Sequence, residues 1–313
     1  MSENIPSRKP ILSDSISIFL GLPESMTLVD EKLLINDFAG IDGFIQVYDL
    51  KNKKIVSPLA KRGDGTNKFL SVSNIDSYYR NDSLFVGLFD GNYRKYTAYY
   101  RDNFTTPLFC KGVLIDYTVN ELHRIKDGYI ATGIFPQGKF AFLDDSFNVL
   151  KFAGEYRPNK EQVATDNLMH ARANLGTSVL SKEKDVLVNI LHKAGVVEAY
   201  QLEKDSIFKI WEYVIEDLNY SVIETSIHNE TVEGFISVKT TEENIFALYS
   251  GEIDAPHKTA IYGKTIFKFD YEGNLVELLY LDREAIDFAI QGDQLYSLTH
   301  LPEPTILIYD WPI

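Results

Sequence analysis

The sequence predicts an all-β chain folded as a six-bladed β-propeller, and three observations carry that prediction. Sustained helical periodicity is scarce, a polar turn followed by an apolar strand recurs six times, and each recurrence opens a unit of roughly 50 residues. The 19 Tyr and 19 Phe agree with it, because large flat side chains pack well on pleated surfaces.

Taken in order, the recurring stretches are DEKLLIND, NDSLFVGL, KDGYIATG, EKDVLVNI, EENIFALY and GDQLYSLT. Their apolar strands begin near Leu33, Leu84, Tyr129, Val186, Ile245 and Leu295, at spacings of 51, 45, 57, 59 and 50 residues. A strand precedes each polar turn, as in Met26 to Val29 or Ala285 to Ile290. Another follows it: GFIQVYDL, KYTAYY, KFAFLDD, VVEAYQLE, KTIFKFDY and TILIYDW. Most of these run through a tight turn, such as Asp49 to Asn52 or Asp270 to Asn274, into a fourth strand. Four antiparallel strands per repeat, arrayed radially, is the pattern of a propeller with four-stranded blades. The best helical stretch, Glu161 to Ala173, is short and mixed.

The sixth unit stops at Ile313 after its third strand, whereas Ser15 to Leu20 precedes the first unit without a partner. The N-terminal segment is therefore expected to supply the missing strand, joining two edges that would otherwise invite aggregation. Residues 1–313 then form a single domain, with 1–14 as a flexible lead-in.

The formal charge of −14 and pI near 4.9 repel phosphate backbones and anionic membranes. Nucleic acid is excluded as a partner on that ground, and a neutral or cationic one is expected. The single cysteine, Cys110, rules out an internal disulfide framework and reads as a small buried hydrophobe. No run approaches the roughly 18 apolar residues of a membrane helix. A monomer is expected.

The stretch KRGDGTNKF, Lys61 to Phe69, falls between the outer strand of unit one and the inner strand of unit two. Its glycines permit positive φ in a tight crossover, and Phe69 is placed to anchor it. A phosphate-binding loop needs GxxxxGK[ST] before a helix, which is not present here. The stretch resembles the G-x-G-P-x-E-F signature at this junction in TolB-like and NHL-like six-bladed propellers. Gly63, Gly65 and Phe69 match; Thr66 stands where proline is usual and Lys68 where glutamate is usual. That family is rich in exported bacterial lipoproteins mostly without assigned activity. The resemblance implies the fold and export to the periplasm or cell surface, with a cytoplasmic location as the alternative.

In a propeller, one end of the ring bears the segments leading into the inner strands and the loops joining second to third strands. Candidate binding residues concentrate there. His170 and His228 fall in lead-in segments, and His192, His257 and His300 in second-to-third loops, with Arg172, Tyr93 and Arg94 as neighbours. The long loop Gly251 to Gly263 adds Lys258 and Tyr262. The lead-in segments also offer Glu24, Asn74, Asn120, Asn174, Asn229 and Asp282, about one oxygen-bearing side chain per blade. Converging hard oxygens suit Ca²⁺, and this set resembles the axial oxygens of calcium-dependent six-bladed lactonases. That likeness implies a metal polarising a lactone carbonyl while an acidic group handles protons. Neither HExxH nor GxSxG is present, so a short zinc motif and a nucleophile elbow are both lacking. The leading expectation is a non-enzymatic module that binds a small ligand or protein on the histidine-bearing end, the mature part of an exported bacterial protein, without a cofactor. The alternative is a Ca²⁺-dependent hydrolase or lactonase built on the oxygen ring.

Overall fold

The computed structural model describes residues 5–16, 18, 20–160, 166–204, 206–223, 226–229, 232–253 and 261–311. Six antiparallel sheets follow one another along the chain and form a six-bladed propeller. Blade one comprises Pro23–Val29, Lys32–Asp37, Ile45–Asp49 and Lys54–Leu59, from first strand to fourth. Blade two is Asn74–Arg80, Ser83–Asp90, Lys95–Tyr100 and Phe109–Gly112. Blade three is Thr118–Ile125, Gly128–Ile134, Phe140–Leu143 and Val149–Ala153. Blade four is Gly176–Ser181, Val186–Leu191, Gly195–Glu203 and Ser206–Glu216. Blade five is Phe235–Thr240, Ile245–Tyr249, Gly263–Phe269 and Leu275–Ala285. Blade six takes Asp287–Gln291, Gln294–Thr299 and Thr305–Asp310 from the C-terminal part of the chain and Ile11–Ile16 from the N-terminal part. First strands of successive blades, from two round to one, lie against one another and ring the axis.

The second strands read as near-continuous apolar runs because both their faces are covered. Val186–Leu191 is buried at every residue, as a sheet flanked by two neighbouring sheets requires. The core therefore lies between blades: Leu33 and Ile35 of blade one share a cluster with Leu298 and Ile306 of blade six and Leu248 and Ile266 of blade five. Each fully buried side chain of this kind contributes roughly 1.5–3 kcal/mol. The polar turns are equally determined. Asn81 and Asp82, at φ 48° and 57°, join Arg80 to its partner Ser83; two successive positive φ values make the I′-type hairpin that Asn and Asp tolerate best.

The closing strand lies earlier than the apolar pattern suggests. Ile11–Ile16, not Ser15 to Leu20, pairs with Thr305–Asp310, from Ile11 opposite Asp310 to Ile16 opposite Ile306. An outermost strand is largely solvated, and five of these six residues are exposed, so hydrophobicity is a poor guide to its position. Leu20 instead joins the core between blades six and one. The segment expected as a flexible lead-in also carries strand. Ser7–Arg8 runs parallel to Leu278 and Leu279 on the edge of blade five, with Arg8 Nε 3.0 Å from Glu277 Oε1. A helix spans Asn167–Ala173, capped by Asp166, whose Oδ1 accepts from Met169 N at 2.7 Å; residues 161–165 of the expected helical stretch lie outside the described residues.

A chain lacking its first 16 residues leaves the outer edge of Thr305–Asp310 open. Its Tm is expected to fall by about 5 °C or more, with light scattering rising on heating. Unchanged values for both would mean that the N-terminal strand does not close the ring.

Candidate functional site

Each first strand pairs on one side only, so six strand edges face the axis. Their N–H and C=O groups need partners, and carboxylates from neighbouring blades supply several. Asp76 of blade two accepts from Arg124 N of blade three at 2.8 Å. Glu121 of blade three accepts from Ser178 N of blade four at 2.8 Å, from Ser178 Oγ at 2.5 Å and from Thr132 Oγ1 at 2.9 Å. Asp287 of blade six accepts from Met26 N of blade one at 2.6 Å and from Ser237 Oγ of blade five. Two lysines answer these charges from further away. Lys182, beside blade four, donates to Asp76 Oδ1 at 2.6 Å and to Ser77 O in blade two. Lys239 of blade five donates to Asp287 at 3.1 Å and to Met26 O at 2.9 Å.

Glu121, His123 and Ser178 are the residue types of a hydrolase triad without its geometry. Ser178 gives its proton to Glu121, so the His123 Nε2 at 2.9 Å from Ser178 Oγ must act as donor, and no imidazole lone pair faces the hydroxyl. All three are more than nine-tenths buried. Burial alone would raise the Glu121 carboxyl, but hydrogen bonds from His123 and Ser178 hold it below its ordinary value.

The predicted site residues lie at the loop-bearing end, in separate groups. His300 follows the second strand of blade six; its Nε2 donates to Pro23 O at 2.6 Å, and Tyr262 meets its ring edge-on at 6.2 Å. Glu24, the bulge residue of its strand, stands beside them. Its carboxyl is pushed up chiefly by desolvation and then by Asp37, against the pull of His300. Asp37 is held by Gly21 N and Leu22 N at 2.9 and 2.7 Å. His192 follows the second strand of blade four and bonds Thr177 Oγ1 at 2.8 Å. His170, on the helix, bonds Tyr220 OH at 2.9 Å and meets Tyr156 edge-on. Burial lowers both imidazoles, with Glu121 partly opposing at His192. His228 and Arg172 are exposed on the hairpin strand Ser226–Asn229 and on the helix. His257 and Lys258 lie outside the described residues, as does the side chain of Asn229.

The oxygen set is dispersed. Asn74 spends both ends of its carboxamide on Leu122 O and N, at 3.2 and 3.1 Å. Asn174 does the same with Arg157 N and O, at 2.9 and 3.1 Å. Asn120, a bulge residue, lines a cavity of about 10 Å³ with Asn174, Asn189 and Tyr156, room for about one water. Asp282 is on the outer strand of blade five, where it accepts from Tyr309 OH; the axial acid of the next blade is Asp287. Among the described residues, no three His, Cys, Asp or Glu side chains gather as a metal set.

The crossover KRGDGTNKF adopts the conformation its glycines permit, with φ of 121° at Gly63 and 125° at Gly65, and Phe69 is completely buried. Beneath it sits a residue the sequence did not point to. The Lys95 ammonium donates to Lys68 O and lies 3.5 Å from Gly65 O and Thr66 O, against the rings of Phe69 and Tyr93. Tyr93 OH donates to Asp64, and Arg94 Nη1 donates to Ile115 O at 3.0 Å, so both pin crossovers. Cys110 is half-buried, its thiol 3.2 Å from Thr66 O; it ties down the same loop and is not a plain core residue.

The profile of the TolB-like 6-blade propeller-like family matches residues 2–293. The chain belongs to that family. Solved structures similar to this TolB-like propeller include a member of the DUF4221 family from Bacteroides vulgatus, with TM-score 0.63 and 11% identity over 96% of this chain and 97% of that one. A Bacteroides fragilis protein provisionally named as exported is similar at TM-score 0.60 and 11% identity, over 96% and 93%. The Cps50 (Swd1) β-propeller domain of Myceliophteria thermophila gives 0.53 and 11%, over 97% and 100%. At such identities the likeness shows the fold alone. A comparison with curated proteins found no match.

The axial groups of the TolB-like propeller escaped the sequence reading, although one signal was available. Asp76, Glu121 and Asp287 each stand four residues before the end of their first strands, at Arg80, Ile125 and Gln291.

The pKa shifts set the pH response. His170 and His192 lie below 6.5 in the folded chain, so the unfolded chain protonates first. Their contribution is complete above pH 6.5 and lost as pH falls below it. Glu121, held below 4.5, contributes above that value and loses its contribution as pH falls through its folded pKa. Urea midpoints taken between pH 8 and 3 should fall in these two windows. His170→Phe with His192→Gln should shrink the fall in the upper one, and Glu121→Gln should shrink but not abolish the fall in the lower, which Glu198 and Asp217 share; unchanged profiles would contradict the assignment.

Proposed function

We propose that this TolB-like propeller is a non-enzymatic binding module that engages its partner with the loop-bearing end of the ring, and that it belongs to an exported bacterial protein. One observation carries the reading: a set of exposed apolar side chains spans the loops of neighbouring blades at that end. Leu301, Leu22, Phe38, Ile41 and Leu70 lie in loops of adjacent blades six, one and two, exposed by 48, 45, 46, 80 and 45%. Leu168, Ile253 and Ile261 add to the same end. At the opposite end Leu108 lies in a turn, and Ile55, Tyr79, Tyr100, Leu150 and Val276 are exposed on strands within two residues of one. Single exposed apolar residues are ordinary, but a set gathered in loops of three neighbouring blades is the pattern of a contact surface.

The axis supports the same reading. Its carboxylates and lysines are committed to strand edges, and Asn74 and Asn174 to backbone, which leaves the calcium-hydrolase alternative few free oxygens. Export is supported by the family resemblance and by the provisional naming of the B. fragilis neighbour. Among the described residues, no helix is long and apolar enough to cross a membrane.

Replacing Leu22, Phe38 and Leu301 together by Ser removes exposed apolar surface, and the one buried ring it uncovers in part is Phe44, beside Phe38. Tm is expected to stay within about 2 °C of wild type, while capture of the partner from extracts of the producing organism is lost. Leu108→Ser should leave capture intact. Equal capture by both variants would overturn the assignment of the binding end.

A further inference from the structure

The crossover Lys61 to Phe69 is built more firmly than a linker needs. The Arg62 guanidinium lies 3.8 Å over the Phe44 ring, donates from Nε to Gly40 O at 3.2 Å and from Nη2 to Phe38 O. Phe69 N donates to Lys61 O at 2.9 Å, Gly63 N to Phe69 O at 3.1 Å and Lys68 N to Gly65 O at 3.1 Å. Lys95 holds the loop from below. Arg62 and Asp64 of the RGD tripeptide both bond within the chain, so the tripeptide is not displayed as an adhesion signal.

This rigid loop presents cations to a cleft. Lys61, Arg62 and Lys68, with Ile41, Asp42 and Pro58, line a cavity of about 420 Å³, within the roughly 300–1,000 Å³ of small-molecule sites. Neither Lys61 nor Lys68 has an acidic partner among the described residues. Three cations against one carboxylate is an inversion of the surrounding field, since the chain as a whole carries −14. That wider field repels polyanions but leaves room for a single small anion.

We infer that this cleft binds a small hydroxylated carboxylate of the sugar-acid class. The ligand carboxylate lies between the Lys61 and Lys68 ammonium groups beside the fixed Arg62 guanidinium. A hydroxyl donates to the Asp42 carboxylate, and the C–H face of the ligand rests on Ile41 and Pro58. Asp42 is the discriminating element: it opposes a bare anion such as sulfate and rewards one that also carries a hydrogen-bond donor. A cation set already held in place needs little reordering on binding. The inference rests on the binding-module reading of this end and names one ligand class for it.

The test is isothermal titration of the full chain with D-glucuronate, with D-glucose and sulfate compared at matched ionic strength. Saturable 1:1 glucuronate binding is expected, with glucose and sulfate at least about tenfold weaker. K61A/K68A should weaken glucuronate by about tenfold or more, while K61R/K68R stays within about threefold; circular dichroism checks that each variant is folded. No glucuronate binding by wild type, binding unaffected by K61A/K68A, or sulfate bound as tightly would each overturn the inference. Titrating the Leu22, Phe38 and Leu301 triple variant separates the two readings. Partner capture lost with glucuronate binding retained supports both; capture lost while the wild type also fails to bind glucuronate sinks the cleft alone; capture retained with glucuronate binding intact sinks the apolar surface alone.

Discussion

Six unpaired strand edges meeting at one axis are the constraint on which this structure depends. A propeller abolishes edges nowhere; it gathers one from every blade into the centre, where water is scarce and an unmet N–H is costly. Here the problem is met largely by carboxylates. Asp76, Glu121 and Asp287 each take an N–H from the next first strand, at Arg124, Ser178 and Met26. A carboxylate suits the task because its bonds to N–H groups are charge-assisted. It also creates a second problem, since buried negative charge needs an answer. Lys182 supplies it by reaching past blade three, from four to two, and Lys239 by bonding Asp287 of the adjacent blade six while reaching on to Met26 O of blade one. The axis is thereby stitched both around and across.

That solution shapes where function can reside. Side chains with catalytic potential are present near the axis, but their protons and lone pairs are spent on holding strands. Ser178 and His123 illustrate this, their hydroxyl and imidazole converging on a carboxylate that is itself a strand clasp. A second buried pair, Lys139 with Glu198, joins blades three and four and continues outward through Lys209, Glu212 and Arg157. With charge used structurally at the centre, the proposed recognition falls to the loops. There the chain sets apolar side chains over blades six, one and two, and beside them a crossover that concentrates cations.

The repeat was legible because it is enforced by packing. The predicted second strands start within one residue of the observed ones, as at Leu33 against Lys32 and Ile245 against Ile245, since burial on both faces demands an apolar run and a polar turn marks its start. The closing strand was displaced because an outer edge has no such demand. The axial groups were obscure for two reasons. Among 45 acidic residues nothing local distinguishes Asp287, whose partner Met26 is 261 residues away. Bulges at Glu24 and Asn120 also shift the inner-strand register, so counting forward from the lead-in misplaces the axial side chain, whereas counting back from the turn finds it. Lys95 was missed for a related reason: its carbonyl partners lie in the preceding blade's crossover, not near it in sequence.

The most direct test of this account is amide hydrogen exchange at Met26, Arg124 and Ser178 in the native protein. These N–H groups belong to strand edges with no ladder partner, yet each is predicted to exchange as slowly as the paired amides of the second strands. Protection at Met26 should vanish selectively in Asp287→Ala, which removes the acceptor. Exchange of all three at the rate of exposed turn amides in the wild type would show that the carboxylates do not hold the axis.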